Sequence, residues 1–274
     1  MSSFREAIFV DADAFFSTDP ASLLEDEQYI STGALFFKDR NLSPESKRSW
    51  LNSILLSPMS DNVKRSRMWT GESGHMMDSG VIVVDKWRHF IPLLLATRLN
   101  GPDRDGDQAA GKRGVYDMVY GDKETFWLSW ELCGDLEYAF RDSLAGSMGT
   151  LATVHPSSEG DSGEEPQATP KPASGPMVCS PQLLHFDRDG KPLWFNGWIS
   201  RNKDSRTEWQ DFDVYLKELP EAGRRRKHNS WTISPANLLC LEAEDSYSFA
   251  SQDQAKLDDM LRLGRENTAL FDDT

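Results

Sequence analysis

The stretch that most constrains this chain is Ala7 to Phe16, read as AIFVDADAFF. A short apolar run, Ala7-Ile8-Phe9-Val10, ends at two carboxylates spaced two apart, Asp11 and Asp13. Such a run predicts a buried strand that delivers its polar end to the edge of a sheet. In open α/β sheets, ligands bind outside the carboxyl ends of the strands. Strand alternation would place both aspartates on one face. Two carboxylates that close repel unless a cation or a proton lies between them. A hard divalent ion, Mg2+ or Mn2+, suits such oxygen ligands. A D-x-D in a solvated loop is the plain alternative, so the other stretches must decide.

The 274 residues, 38% hydrophobic and 11% aromatic, can supply a real core. A net charge of −14 argues against a nucleic-acid partner, whose phosphates demand a basic surface. The basic run Arg224 to Lys227 reads as a solvated loop. Cys133, Cys179 and Cys240 lack zinc-site spacing, and one disulfide among them is possible. No apolar run has the length of a membrane span, the longest, near Phe90 to Ala96, being interrupted by Pro92. No signal peptide is visible. The chain enters its core strand within a few residues, where a doubly wound sheet normally has earlier strands. An N-terminally incomplete piece is therefore expected.

Along the chain, Asp19-Pro20 opens a helix, and Thr32 to Phe37 reads as a second short buried strand. Ser43-Pro44 opens a helix with Trp50, Leu51, Ile54 and Leu55 on its core face. Gly80 to Val84 is a strand, with Asp78-Ser79-Gly80 at its start, where small residues permit close approach of a ligand. Asp85 is expected to cap a helix from about Lys86 to Leu99, with Gly101 just past its end. Gly101 to Gly114 is a polar loop whose D-R-D-G-D lacks the bidentate Glu of a calcium loop. Asp122 is an N-cap candidate for an aromatic helix that Gly134 ends. His155 to Pro176, rich in Pro, Gly, Ser and Glu, is expected to be a disordered insertion in a single domain spanning the chain. Gln182 to Trp198 reads as strand, tight turn at Asp187 to Gly190, and strand, with His185 ending the first. Trp231 to Leu241 holds another strand, and Gln252 to Leu263 an amphipathic helix with Leu257, Met260 and Leu261 on its apolar side.

As a set, FVDADAFF, TGALFFKDR, DSGVIVVDK, VYGDKETFW and QLLHFDRDGKPLWFNGW resemble the fungal alpha-mannosyltransferases of glycosyltransferase family 71. These segments occur in the family's order and cover most of Ile8 to Trp198. The resemblance implies a GT-A-like α/β fold, a mixed sheet flanked by helices, with its first strands missing here. It implies GDP-mannose as donor, Mn2+ or Mg2+ as cofactor, and a mannose-terminated glycan of a glycoprotein as acceptor. Asp13 and His185 would then be metal ligands, and Asp11 would bind the metal or the ribose. Lys191 would contact the diphosphate and Gly190 would allow its close approach. Asp122 and Glu124 would be the catalytic carboxylates around mannose and acceptor. Asp78, Ser79, Gly80, Lys123, Trp194 and Asn196 would line the donor and acceptor sites. The family is expected to carry Glu where this chain has Asp78. Residence in the Golgi lumen, through a membrane anchor absent from this chain, is implied in the same way. Two other readings stay open at this point. One is an inactive remnant or partner subunit of a mannosyltransferase complex. The other is a haloacid-dehalogenase phosphatase, in which the first aspartate of the D-x-D is a nucleophile.

Overall fold

The computed structural model describes residues 3–41, 44–107, 109–153, 176–197, 199, 210–218, 231–233, 239–242 and 246–272. The expected insertion therefore lies outside the described residues except for Pro176, as does the basic run at Arg224.

In chain order the strands are β1 (Glu6–Val10), β2 (Ala14–Phe16), β3 (Ala34–Lys38), β4 (Met77–Asp85), β5 (Ala139–Phe140) and β6 (Gly146–Thr153). They continue with β7 (Pro176–Phe186), β8 (Pro192–Asn196), β9 (Val214–Lys217), β10 (Trp231–Ile233), β11 (Leu239–Glu242) and β12 (Tyr247–Ser248). The helices are α1 (Glu27–Thr32), α2 (Arg48–Ile54), α3 (Asp61–Arg65), α4 (Arg67–Thr70), α5 (Phe90–Leu99), α6 (Thr125–Cys133) and α7 (Ser251–Asp272). This mixture is an α/β fold, as expected. Where one domain was expected, the chain divides into two compact units, Met1–Ala145 with His185–Asn196, and Gly146–Leu184 with Gly197–Thr274.

The first unit is built on a four-stranded sheet of order β1-β4-β3-β5. β4 is antiparallel to β1 and β3, and β5 is parallel to β3. The carboxyl ends of β1 and β3 and the amino end of β4 therefore share one edge. One face of the sheet packs Phe36, Ile82 and Val84 against Trp127 and Trp130 of α6. The other packs Leu35, Phe37, Val81 and Val83 against Leu23, Tyr29, Leu193 and Trp194. This alternation is why Ala34 to Phe37 of β3 and Val81 to Val84 of β4 read as unbroken apolar runs, since both of their faces are covered.

Several boundaries differ from the sequence reading. β1 is an edge strand, not a buried one: Phe9 is 50% and Val10 41% exposed. It ends in a tight turn, closed by the Ala14 N–H donating to the Asp11 carbonyl. Asp11 and Asp13 thus lie in a turn and do not alternate along a strand. β4 begins at Met77, so Asp78-Ser79-Gly80 is inside the strand. Asp85 does not start a helix directly. Its Oδ1 accepts from the Trp87 and Arg88 N–H groups, its Oδ2 takes Arg5, and α5 begins at Phe90. The end of α5 at Leu99 is as expected, with Asn100 at the C-cap and Gly101 just beyond. Glu124 stands at the N-cap of α6, with Asp122 two residues before it. Other signals hold: Asp19 accepts from the Ala21 N–H at the Pro20–Glu25 turn, and Gly134 caps α6 at φ 70°.

In the second unit the strands run β10-β11-β7-β6-β9-β12, with β7 contributing up to Leu184. Cys179 of β7 and Cys240 of β11 stand opposite each other and are joined in a disulfide, which leaves Cys133 as the free cysteine. Val178, Val214, Leu216 and Leu241 pack together, and Leu257 and Leu261 of α7 are buried. No helix among the described residues is long and apolar enough to cross a membrane.

Candidate active site

Four chain segments, the D-x-D turn, the start of β4, the stretch before α6 and the His185 to Asn196 hairpin, meet where β1 and β3 end and β4 begins, all in the first unit. From β1, the Asp11 N–H donates to the Gly80 carbonyl at 2.8 Å. The turn through Asp13 then leads into β2, whose Ala14 stands opposite Asn196 of β8. The D-x-D is thereby carried to the start of β4, although Asp11 itself remains exposed.

At the centre is Asp78, fully buried at 0% exposure. Its Oδ2 takes His185 Nε2 at 2.9 Å, and its Oδ1 takes Asn196 Nδ2 at 3.0 Å and the Gly80 N–H at 3.2 Å. Burial alone would raise the pKa of this carboxyl. The His185 bond and charge outweigh that, helped by Lys123 and the Gly80 N–H, and hold it at about 2. An ionised carboxylate accepts, so Nε2 is the protonated nitrogen of His185. The imidazole is fixed further by stacking on Trp194 at 4.1 Å and by the edge of Phe37 at 5.1 Å. Gly80 permits this packing. A Cβ there would stand 2.8 Å from Asn196 Nδ2 and 3.0 Å from Trp194 Cζ3.

The segment before α6 supplies the opposite wall. Asp122 Oδ1 takes the Ser79 hydroxyl at 2.8 Å and stays partly exposed. Lys123 Nζ reaches Asp39, the residue after β3, at 2.6 Å. Burial would lower the lysine pKa, but Asp39 and Asp78 raise it, so it stays charged. Glu124 is wholly buried. Its Oε1 accepts from the Met76 N–H at 2.8 Å and the Met77 N–H at 3.3 Å, and Oε2 takes Trp127 Nε1. Burial pushes its pKa up to about 7 against the pull of those three donors. It fastens the start of β4 to α6 and is sealed from any substrate.

The structure thus brings together Asp11, Asp78, Ser79, Gly80, Asp122, Lys123, Trp194 and Asn196, with His185 bound to Asp78 and Glu124 beneath. Gly190 and Lys191 lie elsewhere. They stand in the turn at the other end of β8 from Asn196, five residues that rise by about 3.3 Å each. Arg188 of that turn is tied to Asp26 and Glu27 at the start of α1. Among the described residues no three His, Cys, Asp or Glu side chains are placed to hold a metal ion. The expected set of Asp11, Asp13 and His185 does not converge, and Nε2 of His185 is committed to Asp78.

Asp39, His75 and Tyr120 were not singled out from the sequence. Asp39 ends a β3 run, LFFKD, that parallels the ending of β1, which was the available signal. His75 and Tyr120 carry none, because their rings meet only in the folded chain, at 5.9 Å.

A profile of the family described as "Mannosyltransferase putative" matches residues 1–187, about two thirds of the chain. The chain belongs to this mannosyltransferase family. "Putative alpha-1,3-mannosyltransferase MNN14" of Candida albicans is 28% identical over 225 residues, covering 76% of this chain and 31% of that protein. "Alpha-1,3-mannosyltransferase MNT2" of Saccharomyces cerevisiae is 27% identical over 230 residues, covering 76% and 37%. The chain spans about a third of the length of these relatives. The matched region holds the D-x-D turn, the start of β4, the Asp122 segment and His185.

Proposed function

We propose that this mannosyltransferase-family chain transfers mannose from GDP-mannose to a mannose-terminated glycan of a glycoprotein. The α-configured donor would give an α-linkage, and so retention. The observation that carries the reading is the meeting of Asp78, Ser79, Asp122 and Lys123 beside the D-x-D turn, within the region that the family shares.

The chemistry follows from charge. A diphosphate leaving group gains negative charge as the glycosidic bond breaks, while the sugar carbon gains positive charge. Lys123, kept charged by Asp39 and Asp78, supplies positive potential where the leaving group would lie. Asp122, oriented by Ser79 and partly open, is the carboxylate able to face an oxocarbenium-like centre or an acceptor hydroxyl. Glu124 acts one layer back, holding Met76 and Met77 so that Asp78 and Ser79 keep their places. Mn2+ or Mg2+ belongs to this proposal with Asp11 and Asp13 as its protein ligands. Such ions commonly sit on one or two carboxylates and complete their shell with substrate phosphates and water. Bound there, the ion would neutralise charge on the diphosphate. The disulfide supports residence in an oxidising compartment such as the Golgi lumen.

The test is incubation of the folded chain with GDP-mannose and α-mannobiose, followed by NMR of the anomeric region. A new α-anomeric signal that grows with time and is lost in Asp122→Asn is expected. No product from wild-type chain that binds GDP would overturn transfer and favour the partner-subunit reading.

A further inference from the structure

Beside the site, one aromatic side chain is held outward by a segment whose flanks are pinned. Val119 is buried in the core, and two residues beyond Gly121 Lys123 is fastened to Asp39. Between them Tyr120 is 71% exposed. Gly121 turns the chain there at φ 61°, in open space. The Tyr120 ring is nevertheless not loose. The His75 ring meets it edge-on at 5.9 Å and 80°, and Lys123 Nζ lies 5.9 Å from its centroid. An ammonium near a ring and a T-shaped ring neighbour both fix orientation.

We propose that Tyr120 is the platform on which the terminal mannose of the acceptor stacks, an assignment that rests on the transferase reading above. A pyranoside has an apolar C–H face and a polar rim. The tyrosine ring takes the face, while Asp122, two residues on, partly exposed and oriented by the buried Ser79, takes hydroxyls. Aromatic side chains that expose area at low conformational cost are the usual anchors of binding sites. A purine could stack on such a ring as well. The sugar is preferred because the ring stands two residues from Asp122, the partly open carboxylate that the transferase reading sets at the mannose and acceptor. His75 is also biased towards its neutral form, since burial lowers its pKa.

The experiment uses saturation-transfer NMR with α-mannobiose and calorimetry with GDP, on the full chain and on Tyr120→Ala, Tyr120→Phe and Tyr120→Trp. The side chain is exposed, so all three variants should fold as the parent does. The expected result is at least a tenfold weaker disaccharide in Tyr120→Ala, binding kept in Tyr120→Phe and Tyr120→Trp, and GDP affinity unchanged throughout. Equal disaccharide binding by Tyr120→Ala overturns the platform. So does a loss confined to GDP, which would make the ring a base platform. If folded wild-type chain shows no saturation transfer to mannobiose, the platform also falls. GDP binding then tells whether the transferase reading falls with it.

Discussion

At the scale of single residues, the site is centred on Asp78. Its carboxylate gathers His185, Asn196 and the Gly80 N–H, so removing it strands buried donors. Asp78→Ala should cost about 3 to 5 kcal/mol in urea unfolding, as for other broken buried charge pairs. Gly80→Ala should cost about 1 to 3 kcal/mol through overpacking, because Asn196 and Trp194 must move. It should also weaken GDP binding, whereas a merely tolerant site would absorb the methyl without change in either measurement. Glu124 gives a pH signature. Its folded pKa, pushed up to about 7, lies above the ordinary carboxylate value. The folded state therefore binds the proton more tightly, and stability is fullest below the ordinary value and declines as pH rises through about 7. The shift corresponds to on the order of 3 kcal/mol. Glu124→Gln should flatten this slope between pH 5 and 7 in urea unfolding. An unchanged slope would mean that another group sets it. Asp78 has the opposite sign, its contribution being lost only as pH falls towards about 2.

At the scale of elements, capping and turn residues were legible because their chemistry is local. Asp19 before Pro20, Gly134 after α6, and the Asp187–Gly190 turn stand where the sequence put them. Gly134→Ala isolates that local term. Its Cβ would meet nothing nearer than Leu56 Cδ1 at 3.8 Å, so only the left-handed backbone is penalised. The cost should be about 1 to 2 kcal/mol by thermal unfolding, with GDP affinity unchanged. What failed was non-local. β1 has the apolar composition of a buried strand, but composition cannot say how many neighbours a strand has. β1 pairs with β4 alone among the described residues and exposes Phe9. Asp122 looked like the cap of α6, yet Ser79 claims its side chain from across the site. His185 looked like a metal ligand, yet its Nε2 partner is Asp78, far away in sequence. The motifs that meet at the start of β4 were legible in the sequence, but their wiring was not, nor was the place of Gly190 and Lys191 at the far end of β8.

At the scale of the whole molecule, the two units depend on different things. The first is held by apolar layers on both faces of its sheet, with Arg141 and Asp26 ion-paired in the interior. The second relies on the Cys179–Cys240 bond, which closes a loop of 61 residues. In the chain-entropy view that closure stabilises by about 4 kcal/mol. Reduction, or Cys240→Ala, should lower the melting of the second unit while leaving GDP binding by the first intact. Cys133→Ser should leave both the melting and GDP binding unchanged. Loss of GDP binding on reduction would show that the site needs the second unit. Calorimetry of GDP binding to the folded chain, first with Mn2+ and then with EDTA, decides whether the edge where β1 and β3 end and β4 begins is a donor site. A donor site there should give Mn2+-dependent binding that ADP, UDP and CDP do not match and that Asp13→Ala abolishes. Binding of GDP with the same affinity in EDTA and in Asp13→Ala, or no binding at all by folded chain, would contradict it.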